Sequence, residues 1–399
     1  MQSDKKHLIN KWKISCLILL LLFSSFFTTG CWNKLEVNET ADAEGIVFDL
    51  EGDQPSFSLQ MAKPVTKDQS GSASAEPFNV TQTGRTYTEA ARRLMLSLPR
   101  LPLWAHARTV IIGENLASQD LGRAVDFMTR NRNLRKTSLV FVSKGVTGKE
   151  CLEAEVPLES HSSAALKRLI LIQEKQLGIY MPKELEAFFE ELATPGIDAT
   201  APQITTVDVG GKKTLLLDGT AVFKDRKLAG SLDETESRGY RFLSPKMIAG
   251  GLIIIQSPLD VNPSSDKMIS IELTRSQAAV VPEFEDNRIK QMNIHIEAEG
   301  NFYEQTFDGQ VITLENIDKM QELINASIKG DITAAVTKAQ LLDSDIFGWG
   351  LAISRSNPAL WKQLEKDWPA IFPGIETDIV VKFDLRRTYL LDKSFEFKE

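Results

Sequence analysis

The N-terminal stretch constrains this chain more than any other. From Lys5 to Glu39 it runs KKHLINKWKISCLILLLLFSSFFTTGCWNKLEVNE: Lys5, Lys6, Lys11 and Lys13 come first, an apolar run from Ile14 to Phe27 comes next, and small residues close it at Gly30-Cys31. An apolar run this short, basic in front and small-residued behind, has the pattern of a secretory leader over residues 1–30 rather than of a spanning helix, which needs about 20 apolar residues. The chain after Cys31 is therefore expected outside the cytoplasm, folded in water.

Thr28-Thr29-Gly30-Cys31 sharpens that reading. It resembles the bacterial lipobox, in which small residues admit the peptidase and the cysteine thiol accepts a diacylglyceryl group; Thr28 stands where that motif usually has leucine. Cys31 is thus the expected lipidation site, an N-palmitoyl, S-diacylglycerol cysteine. Each buried methylene contributes about 0.8 kcal/mol, and two acyl chains hold where one is marginal. The mature chain should be anchored to a bilayer, not threaded through it.

Composition excludes several functions. Without the leader's four lysines and one aspartate, 42 basic and 53 acidic side chains remain, a net charge of −11. That balance argues against a nucleic-acid partner and against electrostatic adhesion to anionic lipid, leaving the acyl chains as the membrane contact. With Cys16 in the leader and Cys31 acylated, Cys151 has no disulfide partner, and the acidic residues around it (Glu150, Glu153, Glu155, Glu159) disfavour a thiolate. His106, His161 and His295 are far apart, with no HExxH and no cysteine pair, so no zinc site is expected, and no GxSxG offers a serine nucleophile.

Periodicity divides the mature chain into an N-terminal α/β-type domain (31–203), a small strand-rich middle domain (204–282) and a C-terminal α+β domain (283–399). In the first, Gly45–Leu50 and the alternating Phe57, Leu59 and Met61 read as a hairpin around Glu51-Gly52-Asp53, and Thr86 to Glu89 has capping-box spacing before a helix. A strand (108–112), a helix (about 118–130) and a strand (137–142) suggest a βαβ-like unit. Arg130, Arg132, Arg135 and Lys136 make a local basic patch, either a solvated helix end or a docking surface for an acidic loop. Two helices come next, about 160–176 with Leu166, Leu169, Ile170 and Ile172 on its apolar side, and 182–192 with Pro182 in its first turn.

The middle segment places apolar runs at 215–217, 220–223 and 228–232 around tight turns, as in a small antiparallel sheet. Gly210-Gly211-Lys212-Lys213-Thr214 lacks the upstream glycine of a phosphate-binding loop and reads as a hairpin turn. In the last third, Met292, Ile294, Ile296 and Ala298 alternate as a strand with His295 on the polar side. The spacing of Ile317, Met320, Ile324, Ile328, Ile332, Val336 and Ala339 predicts one long amphipathic helix over 315–342, interrupted at Gly330. A helix from Asn357-Pro358 carries Trp361 and Trp368, read as core anchors rather than a ligand cage, and a last strand alternates Ile379, Val381, Phe383 and Leu385. Asp343/Asp345 and Glu283/Glu285 read as solvated loop charges.

Four blocks in order, Cys31-Trp32-Asn33 with Glu36 to Glu39, residues 101–145, Gly219 to Glu234, and Asp345 to Gly348 with the tryptophan helix and Arg386-Arg387-Thr388, resemble the Ger(x)C family, the lipoprotein C subunits of bacterial spore nutrient germinant receptors. The resemblance implies an α+β fold of three mixed domains, mostly antiparallel or mixed sheets with packed helices, behind an N-terminal lipid anchor. It implies a non-catalytic subunit required for the nutrient-triggered germination response, without cofactor. Its partners would be polytopic A-type and B-type subunits, on the outer face of the spore inner membrane. A solute-binding lipoprotein that captures the germinant itself is the competing reading, and predicts a deep interdomain pocket.

Overall fold

The computed structural model describes residues 15–19, 23, 36–62, 77–131, 133–259, 266–286, 288–308 and 314–388. Cys31, Arg132 and most of the leader lie outside the described residues. Among the described residues no helix is long and apolar enough to cross a membrane.

The hairpin expected first is present. β1 (Thr40–Glu51) pairs antiparallel with β2 (Gln54–Met61), and Gly52 takes the positive φ the tight turn requires. β3 (Phe78–Thr83) extends it antiparallel. Thr86 then caps α1 (Tyr87–Arg93) by accepting the Glu89 N–H, while the Glu89 carboxylate takes the Arg85 N–H. A 3-10 turn at Leu94–Leu96 leads to the short β4 (Leu101–Leu103), which runs parallel to the start of β1.

Next come β5 (Thr109–Ile112), α2 (Glu114–Gln119), α3 (Gly122–Arg130) and β6 (Leu139–Ser143). The crossover between these parallel strands is two helices rather than one. Asp120 is extended there, and its carboxylate accepts the Gly122 N–H at 2.8 Å, a local bond that competes with helix continuation. α4 (Gly148–Glu153), α5 (Ser162–Gln176) and α6 (Leu185–Ala193) are the next helices. α6 begins three residues after Pro182 because the preceding backbone is used by β6: Lys183 O accepts the Val140 N–H, and Leu139 bridges Glu184. On α5 only Leu166 and Ile170 of the expected apolar set are buried; Leu169 and Ile172 face solvent.

β7 (Thr200–Val209), β8 (Lys212–Lys224) and β9 (Lys227–Leu232) complete a mixed sheet ordered β3-β2-β1-β5-β6-β7-β8-β9. Its centre, β1, β5, β6 and β7, is parallel. Those strands are apolar runs because both faces are covered. Ile46, Phe48, Val110, Ile112, Val140 and Val142 pack toward α1, α2, α3 and α6, whereas Val47, Ile111, Leu139 and Phe141 pack toward α4 and α5. Gly210 and Gly211, both at positive φ, make the β7–β8 turn, so the Gly-Gly-Lys-Lys segment is the hairpin expected.

α7 (Glu234–Phe242) leads into a second sheet, β10 (Leu252–Gln256), β11 (Met268–Glu285), β12 (Arg288–Gln305) and, after α8 (Leu314–Leu341), β13 (Glu376–Thr388). The residues 204–282 therefore supply strands to both sheets. β10, β11 and β12 are antiparallel, and β13 returns parallel to β12. α8 runs unbroken through Gly330 and buries Met320, Ile324, Ile328, Ile332 and Val336 in one core with Met292, Ile294 and Ile296 of β12, whose His295 is on the opposite, exposed side. Each fully buried isoleucine contributes about 1.5–3 kcal/mol relative to exposure. Between α8 and β13 lie α9 (Trp349–Ser356), α10 (Pro358–Leu364) and α11 (Trp368–Ile371). Asn357 caps α10 as its Asn-Pro start suggested, but the helix stops at Leu364 and Trp368 opens a second one. The fold is thus multidomain α+β with mixed sheets and packed helices.

Candidate functional site

The polar side chains that sequence reasoning placed in solvent include the best-organised buried site. Asp345, in the turn between α8 and α9, is 1 % exposed. Its carboxylate accepts the backbone N–H of Trp349 (3.0 Å) and of Gly350 (2.9 Å), and the Trp368 indole N–H (3.1 Å). Burial pushes its pKa up to about 7, against the pull of those donors. Its neighbour Asp343, by contrast, stays in the turn at positive φ.

Asp345 also ties the two sheets together. Its own N–H donates to the Asp198 carboxylate at 2.8 Å, and Lys224 of β8 holds that same oxygen at 3.0 Å. Ser344 Oγ donates to Phe223 O, and Leu351 N–H to Gly196 O. Gly196 and Gly350 touch so closely that a Cβ on either would meet backbone within 2.7 Å. Within the C-terminal domain α7 packs on α8, where Gly239 stands against the Asp331 carbonyl and Arg238 pairs with the Asp331 carboxylate at 2.7 Å. Nearby, the buried Arg241 donates to three carbonyls, those of Glu174, Ala249 and Gly250. The contacts of Asp345 and Arg241 fix one domain against the other.

The remaining candidate residues do not converge. Cys151 is fully buried, and burial first, then the Glu150 and Asp49 charges, raise its pKa to about 12. His161 is buried 3.5 Å from Glu44, and burial holds its pKa below the usual histidine range. His106 is exposed, 3.6 Å from Asp42. Among the described residues no group of three or more His, Cys, Asp or Glu could hold a metal ion. Trp361 and Trp368 meet edge to face at 5.4 Å inside the C-terminal core, so they anchor packing rather than line a ligand cage. The basic patch is largely internally satisfied: Arg130 pairs with Asp126 at 2.7 Å, Arg135 bonds Thr137 and Lys136 faces Glu186.

Concave surface gathers around α1. One cavity of about 470 Å³ lies between α1, β4 and Phe127, and an adjoining open groove of about 940 Å³ continues toward α3 and Arg226. Another hollow, about 300 Å³ and polar, lies on the C-terminal sheet among Arg275, Glu299 and Arg386. Each belongs to a single sheet's domain, not to the joint between them.

Fold and site together define a two-sheet α+β protein whose most elaborate polar chemistry serves a domain joint. The chain matches the spore germination protein N-terminal domain over residues 33–206 and the spore germination B3/GerAC-like C-terminal domain over residues 218–389. It belongs to the Ger(x)C family. It is 28 % identical to YfkR of Bacillus subtilis (strain 168) over 388 residues, covering 94 % of this chain and 95 % of that protein. It is 23 % identical to spore germination protein KC of the same organism, over 94 % of this chain and 96 % of that protein, and 21 % identical to spore germination protein B3, over 92 % and 95 %. The crystal structure of the GerBC protein has the same fold, with a TM-score of 0.54 and 15 % identity over 89 % of this chain and 99 % of that one.

Sequence reasoning read Asp345 as a solvated loop charge, which its burial corrects, and did not single out Asp198, Gly239 or Arg241. The only local signal was Gly348 just before α9: a turn that starts a helix with its N–H groups pointing back invites an acidic side chain. The partners of Asp345 at 198 and 368 are distant in sequence and leave no periodic trace.

Proposed function

We propose that this chain is the lipid-anchored, non-catalytic C-type subunit of a spore germinant receptor, held on the outer face of the spore inner membrane by an acylated Cys31 beside polytopic A-type and B-type subunits. The observation that carries this reading is the ordered match of both family domains along nearly the whole chain behind a leader ending at Gly30-Cys31. Relatives of nearly equal length that bear germination names support it. Its physical logic is concentration: confinement to one surface lets weak contacts with integral partners act at high effective concentration. The joint at Asp345 suits such a role, because a rigid body presents several surfaces in fixed relation.

Co-purification from spore membranes tests the assignment. The wild-type chain should bring polytopic receptor subunits with it, and Cys31→Ala should lose them. A chain that is recovered alone, with germination unaffected by its deletion in a strain lacking paralogous receptors, would refute the assignment.

A further inference from the structure

Between Ala90 and Gly113 the chain has four arginines and no acidic residue, although it carries 54 acids in all. This stretch contains the end of α1, the 3-10 turn and β4. Leu96 is 82 % exposed, and Met95 and Leu101 are also exposed, beside Arg92, Arg93 and Arg100. Arg93 leans on Glu89 at 3.7 Å. Arg92 and Arg100 have no ion pair among the described residues.

The topology sets this edge next to the tether. β4 pairs with the first three residues of β1, Thr40 with Leu101, Ala41 with Pro102 and Asp42 with Leu103. The nine residues from Cys31 to Thr40 can span at most roughly 30 Å even when fully extended. A lipid on Cys31, which is part of the function proposed above and on which this inference rests, therefore keeps the edge within that distance of the bilayer. The opposite end of the sheet is far away. Phe48, Ile112, Val142 and Gln203 stand in one row across the parallel strands. Thr40 lies eight residues before that row and Val209 six after it, a separation of roughly 45 Å along the strands at about 3.3 Å per residue.

We propose that this edge, Arg92, Arg93 and Arg100 with Met95, Leu96 and Leu101, rests on the headgroup layer of an anionic bilayer and sets the orientation of the body above the membrane. The mature chain's net charge of −11 opposes general adhesion; the acid-free segment is the local exception, and its apolar side chains can enter the boundary between headgroups and acyl chains. Each arginine near an anionic surface strengthens the contact by about fivefold.

Fluorescent labels at Leu96→Cys and at Val209→Cys, in the acylated mature chain, whose remaining thiol Cys151 is buried, test it on vesicles of phosphatidylglycerol and phosphatidylcholine carrying a shallow lipid quencher. Flotation reads the tether, and quenching reads the face. The Leu96 label should be quenched and the Val209 label, roughly 45 Å away at about 3.3 Å per residue, should not; the difference should shrink on phosphatidylcholine alone, and Arg92→Glu with Arg100→Glu should abolish it while the chain still floats. Equal quenching at the two sites on floating protein would overturn the face and leave the tether intact. Shielding of the Leu96 label that appears only when polytopic subunits are added would equally overturn it, in favour of a protein contact. Failure to float would refute the tether and this orientation together.

Discussion

Replacing Asp345 with asparagine should make the protein's stability less sensitive to pH between 5 and 8. The folded-state pKa of about 7 stands above the ordinary 3.8. Between those values the native state holds a proton that the unfolded chain has released. Stability therefore falls as pH rises through this window, and the contribution is complete only below the unfolded value. The full window is worth about 4 kcal/mol at 1.36 kcal/mol per unit, of which about 2.5 kcal/mol falls between pH 5 and pH 8. Asparagine keeps the shape but cannot ionise. The difference in unfolding free energy between wild type and Asp345→Asn should therefore move by about 2.5 kcal/mol in favour of the variant across that range. In urea, followed by tryptophan fluorescence, this is a relative midpoint shift of about 1 M. Every titrating group the two proteins share cancels in the difference. A difference that stays flat from pH 5 to pH 8 would refute the reasoning, because the carboxylate would then be equally ionised in both states.

Asp345→Ala should cost about 3–5 kcal/mol at pH 5, measured in the same urea assay, since it strands the Trp349, Gly350 and Trp368 donors in the interior, and the cost should shrink by about 2.5 kcal/mol by pH 8 because alanine cannot ionise either. Gly239→Ala should destabilise by more than about 2 kcal/mol, because its Cβ would fall 1.9 Å from the Asp331 carbonyl and force α7 off α8; an unchanged melting temperature would contradict the close approach. Cys151 should resist thiol reagents in the folded mature chain and react fully on unfolding, given its burial and a pKa of about 12. Calorimetry of the mature chain against amino-acid and sugar germinants should show no heat if the body is a scaffold; a saturable signal would favour direct germinant capture.

Legibility in the sequence tracked periodicity. The long helix was readable because Met320, Ile324, Ile328 and Ile332 must lie on one face, and β12 because Met292, Ile294 and Ile296 alternate. The central strands were readable as apolar runs, although their two-sided burial required the helices on both faces to be known. Helix ends were less legible. Asp120 and the Glu184 bridge divert the backbone through single hydrogen bonds that no periodicity records. The domain joint was least legible of all. Asp345 stands in the sequence as one more loop acid, and only the approach of Asp198, Trp368 and the α9 N-terminus turns it into a buried anchor. The arginine-rich edge was hidden for the opposite reason: the overall acidic balance masks a local segment free of acids until β4 places it beside the start of β1.

The central claim, a water-folded body tethered by lipid to the membrane where its partners sit, is tested most directly by mass spectrometry of the N-terminal peptide of the chain extracted from spore membranes. The account predicts a chain that begins at Cys31, with a diacylglyceryl thioether on its sulfur and an acyl group on its nitrogen. Residues 1–30 still attached and an unmodified Cys31 thiol would contradict it.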